Sequence, residues 1–295
     1  MMPADLSVGV IGLGAMGRPM ADTLMGAGFD VTGFDMEPSR AIGLAHVADS
    51  VEDIGRTCDV TLLSLPNSAI VEQVCAKLFA VAPQGHLILD TSTAEPASTR
   101  ALQAEAAKHG IGFVDGPVSG GAKGAGSGTL LVMAGGIERD VERAMPVLDA
   151  MARKVVCCGG SGAGNVAKLI NNLLCAAHLS LAGEALQLAD KAGLAIDALL
   201  DALNAGSGRS AVTEVNLPTW VLSDAYDSGF TMGLMRKDVR LAAALADDLG
   251  AEVPMAALAA ARWADSVDDL TEGADFNRMV DLSRAVADRD KDAAS

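Results

Sequence analysis

SVGVIGLGAMGRPMADTLMGAG, residues 7–28, reads as a short strand, a glycine turn and the start of a helix. Gly12, Gly14 and Gly17 fit the spacing G-x-G-x-x-G at that junction, with Leu13, Ala15 and Met16 between them. Each glycine has a mechanical reason. Gly12 permits the tight turn, Gly14 lets the backbone approach a pyrophosphate, and Gly17 lets helix and strand pack closely. The helix start adds N–H groups without intrahelical partners and a positive dipole end, both suited to phosphate. In a chain with 32 glycines this pattern alone is a weak signal, so its surroundings decide.

FDVTGFD, residues 29–35, reads as a second strand ending in Asp35, about 20 residues after the glycines as a dinucleotide fingerprint requires. A carboxylate there accepts hydrogen bonds from the adenine ribose hydroxyls and repels a 2′-phosphate. NAD is therefore expected over NADP, with Arg40 close enough to bear on the choice. Further alternation follows: DVTLLSLP, VEQVCAKLF, HLILDTST, a helix from about Pro96 to His109, and IGFVDGPVSGG. Strands alternating with helical patterns imply a parallel, doubly wound α/β sheet, whose ligands sit at the carboxyl ends of the strands. Ser64-Leu65-Pro66-Asn67, Thr91-Ser92-Thr93 and Ser119-Gly120-Gly121 all come just after strands. Any one is ordinary turn chemistry, but together they mark a polar edge, with Leu65, Pro66 and Thr93 as candidate cofactor contacts. Gly120 and Gly121 free the backbone to turn several N–H groups toward one point, a nest for a carboxylate, and Ser119 adds a hydroxyl.

Composition narrows the partners. At 295 residues the chain is long enough for about two domains, and half its residues are hydrophobic, so it is expected to fold. A net charge of -16 argues against nucleic acid and against an anionic membrane surface. The start has no Lys or Arg ahead of its apolar stretch and does not read as a signal peptide. No uninterrupted apolar run reaches about 18 residues, so no membrane span is expected. Cys58, Cys75, Cys157, Cys158 and Cys175 lack a C-x-x-C pair and read as reduced packing residues of a cytoplasmic protein. His46, His86, His109 and His178 are isolated, and no metal site is expected.

GAGNVAKLINN, residues 162–172, opens a long, largely apolar helix and places Lys168 and Asn172 at i and i+4, on one face. A lysine in a buried helix is a snorkelling or paired side chain, or a working base. Gly162 and Gly164 read as letting that face come close to a ligand. VIGLGAMGRPMADTL, DGPVSGG and GAGNVAKLINN, in this order, resemble the 3-hydroxyisobutyrate dehydrogenase group of β-hydroxyacid dehydrogenases, from about Ser7 to Ser283. The last motif is the most specific.

The resemblance implies an N-terminal NAD(P)-binding Rossmann domain, residues 1–164, joined by the long helix to an all-helical substrate and dimerisation domain, residues 165–295. It also implies hydride transfer between NAD(P) and a small 3-hydroxy acid. Lys168 matches the catalytic lysine, Asn172 the asparagine one turn later, and Ser119, Gly120 and Gly121 the substrate loop. Lys237, in Met235-Arg236-Lys237-Asp238, matches a second lysine near the cofactor; otherwise it reads as an exposed charge pair with Asp238. A desolvated lysine loses its proton more easily, which suits it to take the hydroxyl proton as hydride leaves. Thr23 and Phe29 depart from the usual asparagine and histidine on the first helix and turn, away from the chemistry, and Gly116 replaces a common alanine in the substrate loop, which it loosens slightly without changing the reaction type.

Reduction of tartronate semialdehyde or a related aldehyde acid fits the same residues. An imine reductase fits less well because those relatives generally lack the lysine, and 6-phosphogluconate dehydrogenase is a much longer chain. From another class, a nucleotide-sensing protein without chemistry would not need the lysine, the asparagine and the substrate loop together. Arg209, in Gly206-Ser207-Gly208-Arg209-Ser210, is a candidate for reading the substrate's far end. Apolar helices in the second half make a homo-oligomer plausible.

Overall fold

The structure is a computed structural model that describes residues 6–282, and the chain divides between Lys168 and Leu169 into two compact units. In the first unit the elements run β1 (Ser7–Ile11), α1 (Gly17–Gly26), β2 (Asp30–Phe34), β3 (His46–Val47), α2 (Val51–Thr57), β4 (Val60–Leu63) and α3 (Ser68–Val81). They continue with β5 (Leu87–Asp90), α4 (Pro96–Lys108), β6 (Gly112–Asp115), β7 (Val118–Ser119), α5 (Gly121–Gly126), β8 (Leu130–Gly136), α6 (Glu138–Met151) and β9 (Ala152–Gly159). One sheet holds all the strands, in the order β3-β2-β1-β4-β5-β6-β8-β7, with β9 pairing β8.

Strand periodicity explains the layering. Successive side chains of β1, β4 and β5 point to opposite faces. Val10, Leu62 and Leu89 join Met20 and Leu24 of α1 and Leu148 of α6 in one core. Ile11, Leu63 and Ile88 join Ile54 of α2, Leu78 of α3 and Leu102 of α4 in the other. The residues of β4, β5 and β6 are all buried, as expected of strands covered on both faces. Each such aliphatic side chain contributes roughly 1.5–3 kcal/mol by leaving water.

The expected parallel sheet holds from β3 through β6 and then fails, because β8 runs antiparallel to β6 and β7. The reason lies in the loop lengths. Residues 120–129, between β7 and β8, are fewer than the dozen or more that a parallel crossover needs, so the chain folds straight back. β9 is an edge strand that periodicity did not announce, since its burial does not alternate. Its Cys157 is exposed, so that thiol is not a packing residue, whereas Cys58 and Cys75 are buried; no disulfide joins the five cysteines. His86 is buried, with its ring nitrogens on Thr61 Oγ1 and the Cys58 carbonyl, both at 2.9 Å. Burial holds its pKa below the usual value, as for a structural, neutral histidine.

α7 (Ala163–Lys191) begins in the first unit and runs into the second, which continues with α8 (Ile196–Ala205), a π-helical segment (Val212–Val221), α9 (Met232–Asp248) and α10 (Pro254–Asp265). No strand is found among the described residues beyond Gly164, as the periodicities implied; the isolated bridge Thr231–Asp275 is the nearest approach to one. The core of this unit gathers Ala176, Leu179 and Leu186 of α7 with Leu200, Leu217, Met235, Val239 and Trp263. Trp263 is fully buried, and its indole N–H donates to the Ala176 carbonyl at 3.1 Å. By length and composition α7 is apolar enough to cross a membrane, although polar residues such as Lys168, Asn171 and Asn172 interrupt its apolar run. Its role in the fold is that of a core helix, with Trp263 and α9 packed along it.

Candidate active site

In the first unit the glycine turn has the form its sequence implies. Gly12 has φ +91°, and a Cβ there would strike the Ser64 carbonyl oxygen; a Cβ on Gly17 would strike the Gly12 carbonyl. At Gly14 a Cβ would meet nothing nearer than an Arg40 nitrogen at 3.9 Å, which leaves the backbone open to a pyrophosphate. Asp35 follows β2 directly, and its side chain is 8% exposed. One carboxylate oxygen accepts the Leu13 N–H at 2.7 Å, the other the Glu37 N–H at 2.8 Å, and Arg40 Nη1 lies 3.4 Å away. The acidic group is thus fixed beside the turn, and these residues fit a dinucleotide.

The polar turns after β4 and β5 are stitched together. The Leu65 N–H donates to Ser92 Oγ at 2.9 Å, the Ser92 N–H to Asp90 Oδ1 at 3.0 Å, and Thr91 Oγ1 to the Leu63 carbonyl at 2.7 Å. Thr91 and Ser92 therefore hold the edge in shape, with Leu65, Pro66 and Thr93 carried on it. Gly120 and Gly121 both have positive φ, +129° and +63°, a backbone form that favours glycine at both positions. Ser119, immediately before them, is half-buried.

Lys168 lies in the second turn of α7 and is buried. The glycines ahead of it do something other than the sequence suggested. A Cβ on Gly164 would strike the Met133 carbonyl and lie 2.9 Å from Asp115, so the close approach is to the sheet rather than to a ligand. Gly162 has φ +83°, with the Pro96 carbonyl 3.0 Å from where a Cβ would stand. Asp115, fully buried at the end of β6, accepts N–H bonds from Gly162 and Asn165, a role nothing in its local sequence announced. Burial pushes its carboxyl pKa up while those N–H bonds oppose the shift.

In the second unit Asn172 is buried, and its amide nitrogen donates to Asp238 Oδ2 at 2.6 Å. Its own oxygen accepts from the neighbouring Asn171 amide at 3.0 Å. Lys237 Nζ stands 3.3 Å from Asp238 Oδ1, but the side chains are 20% and 2% exposed, so this is not the surface pair that adjacency suggested. Asp238 is a buried polar residue that the sequence showed only as a charge partner of Lys237, with no role of its own. The signal was available: Met235, Asp238, Val239 and Ala242 all fall on the buried stripe of α9. Arg209 is largely exposed, with Glu214 at 3.7 Å.

Comparison with known proteins bears on this arrangement. The family model for the NAD-binding domain of 6-phosphogluconate dehydrogenase matches residues 7–160. The model for the NAD-binding region of NADP-dependent 3-hydroxyisobutyrate dehydrogenase matches residues 162–283. A probable 3-hydroxyisobutyrate dehydrogenase of Mycobacterium tuberculosis is 36% identical over 292 residues, 96% of this chain and 99% of that one. An NAD-dependent L-serine dehydrogenase of Pseudomonas aeruginosa is 38% identical, over 85% of this chain and 89% of its own. The solved structure of Mycobacterium tuberculosis 3-hydroxyisobutyrate dehydrogenase with L-serine superposes with a TM-score of 0.90 at 35% identity, covering 96% of this chain and all of that one.

Proposed function

The chain belongs to the 3-hydroxyisobutyrate dehydrogenase family and is an NAD(P)-dependent oxidoreductase of small 3-hydroxy acids, and from that premise we propose that Lys168 is its general acid and base and that NAD is its preferred cofactor. The observation that carries the first point is a buried lysine one helical turn from a buried asparagine on one face of α7. The nicotinamide, when bound, accepts or returns the hydride. Neutral Lys168 takes the hydroxyl proton in oxidation, and its protonated form returns it in reduction. Asn172, with its amide nitrogen committed to Asp238, keeps its carboxamide oriented toward lysine or substrate. The backbone of Gly120 and Gly121, freed by positive φ, with the Ser119 hydroxyl, receives the substrate carboxylate. Lys237 supports cofactor or carboxylate binding as a cation held by Asp238.

The preference for NAD rests on Asp35, whose carboxylate is anchored by two backbone N–H groups where the adenine ribose is expected. Wild type is expected to reduce NAD faster than NADP with at least one of 3-hydroxyisobutyrate, L-serine, glycerate, threonate or 3-hydroxypropionate. Asp35→Ser removes the repulsion and releases Arg40 toward a 2′-phosphate. Its NADP-to-NAD ratio of kcat/KM should rise about tenfold or more, the equivalent of one charge-assisted hydrogen bond of about 1.5–3 kcal/mol. An unchanged ratio would remove Asp35 as the discriminator.

We also propose a homo-oligomer. Ile170, Leu174, Leu181 and Leu188 are all half or more exposed and form a straight stripe along α7 with Ala177, interrupted by Glu184. Two copies of a chain of charge -16 repel elsewhere, and a stripe that is apolar apart from Glu184 can meet itself across a two-fold axis. Light scattering should give a multiple of 29.9 kDa for wild type. Leu181→Asp should shift the mass toward one chain, and a wild type that runs as a monomer would end this reading. An NAD-linked enzyme whose five cysteines form no disulfide suits the cytoplasm, which cell fractionation would test.

A further inference from the structure

We propose that Asp115 and Asn165 are positioning residues for Lys168, acting as one buried latch at the start of α7; the proposal rests on Lys168 being the general acid and base. A helix leaves its first N–H groups without intrahelical partners, and a neighbouring Ser, Thr, Asp or Asn usually caps them. Here the cap comes from far along the chain. Asp115 Oδ1 accepts the Gly162 N–H at 2.8 Å and Oδ2 the Asn165 N–H at 3.0 Å, across 47 and 50 residues. A cap within the helix's own sequence would satisfy the same donors but would move with the helix. A cap on the end of β6 also pins the helix start to the sheet.

Glycines complete the seat. A Cβ on Gly135 would lie 2.7 Å from both Asp115 Oδ1 and the Gly164 nitrogen, and one on Gly164 would strike the Met133 carbonyl. Only bare backbone fits there. Asn165, fully buried, supplies the second half of the latch. Its Oδ1 accepts the Ala94 N–H at 3.0 Å, and its Nδ2 donates to Thr99 Oγ1 at 3.1 Å. Ala94 directly follows Thr93 on the cofactor edge, and Asp115 leads through Gly116 and Pro117 into the Ser119–Gly121 loop. One small cluster thus fixes the lysine's helix against both the cofactor loop and the substrate loop. Lys168 comes three residues after Asn165, so a shift of the helix start carries its amine along.

Misplacement by about 1 Å can cost on the order of 10²-fold in rate. The test uses Asn165→Ala, which removes both side-chain bonds while favouring the helix, and Asp115→Asn, which keeps one acceptor. NADH titration by fluorescence counts competent sites, so that kcat is expressed per site rather than per milligram. The expected result for both variants is a per-site kcat lowered about 10²-fold, with a far smaller change in NADH affinity. The solvent deuterium isotope effect on kcat should increase, because proton transfer becomes limiting. Hydrogen exchange at amides 163–168 should quicken. A merely structural role would lower the number of competent sites and leave the per-site kcat and the isotope effect unchanged, and that result in both variants overturns the proposal. Full activity of Lys168→Ala would sink the acid–base reading and this one together. Activity lost in Lys168→Ala but retained per site in both latch variants would sink this one alone.

Discussion

Lys168→Ala is expected to lower kcat by about 10²–10⁴-fold while leaving NADH binding in place, since that is the range general acid–base help supplies. Binding should survive because the glycine turn joins β1 to α1, and Asp35, anchored on the Leu13 and Glu37 N–H groups, directly follows β2, so α7 contributes neither of them. Lys168→Arg sharpens the test. Arginine keeps the positive charge that could orient a substrate carboxylate, but its guanidinium does not give up a proton at ordinary pH. If Lys168 moves a proton, Arg is nearly as poor as Ala; if it only supplies charge, Arg restores most of the rate. The decisive measurement is single-turnover hydride transfer at saturating NAD and hydroxy acid, which separates chemistry from binding and release. Wild-type rates in Lys168→Ala would remove the lysine from the mechanism.

Much of this was written in local sequence, and what was not has an identifiable cause. Gly12, Gly14 and Gly17 were legible because their spacing is itself local, although the atom that forbids a side chain at Gly12, the Ser64 carbonyl, comes from the turn after β4. Asp35 was legible by spacing, and the second-half helices by period. Asp115 was not, because its partners stand 47 and 50 residues away and no local pattern encodes that distance. Gly164 was noticed but assigned to the wrong neighbour, since sequence says that a backbone must come close without saying to what. The antiparallel return of β8 depended on counting the residues between β7 and β8, a weaker cue than the strand–helix alternation that implied a parallel sheet. Asp238 was legible only as the partner in the exposed pair that Lys237 forms without the resemblance, although the period of α9 puts it on the same face as Met235 and Val239.

That buried position makes Asp238→Ala the second large expected effect. Asp238 is 1% exposed, takes the Asn172 amide N–H at 2.6 Å on one oxygen and lies 3.3 Å from Lys237 Nζ on the other. Removing one partner of a buried ion pair costs about 3–5 kcal/mol, and the lower end applies because Lys237, 20% exposed, can turn partly to water. About 3 kcal/mol of lost stability is therefore expected in urea unfolding, a large share of the 5–15 kcal/mol that folded domains typically have. Asp238→Asn divides the effect. It offers Asn172 an acceptor oxygen but no charge to Lys237, so it should lose less than the alanine variant, and the difference measures the hydrogen bond to Asn172. The two variants should also differ in activity. With Asp238 gone, the Asn172 carboxamide keeps only its bond from Asn171, and KM for the hydroxy acid should rise more in Asp238→Ala than in Asp238→Asn. A change within about 0.5 kcal/mol, as for an ordinary surface substitution, would mean that water reaches this carboxylate and that adjacency, rather than the buried stripe of α9, described Asp238 correctly.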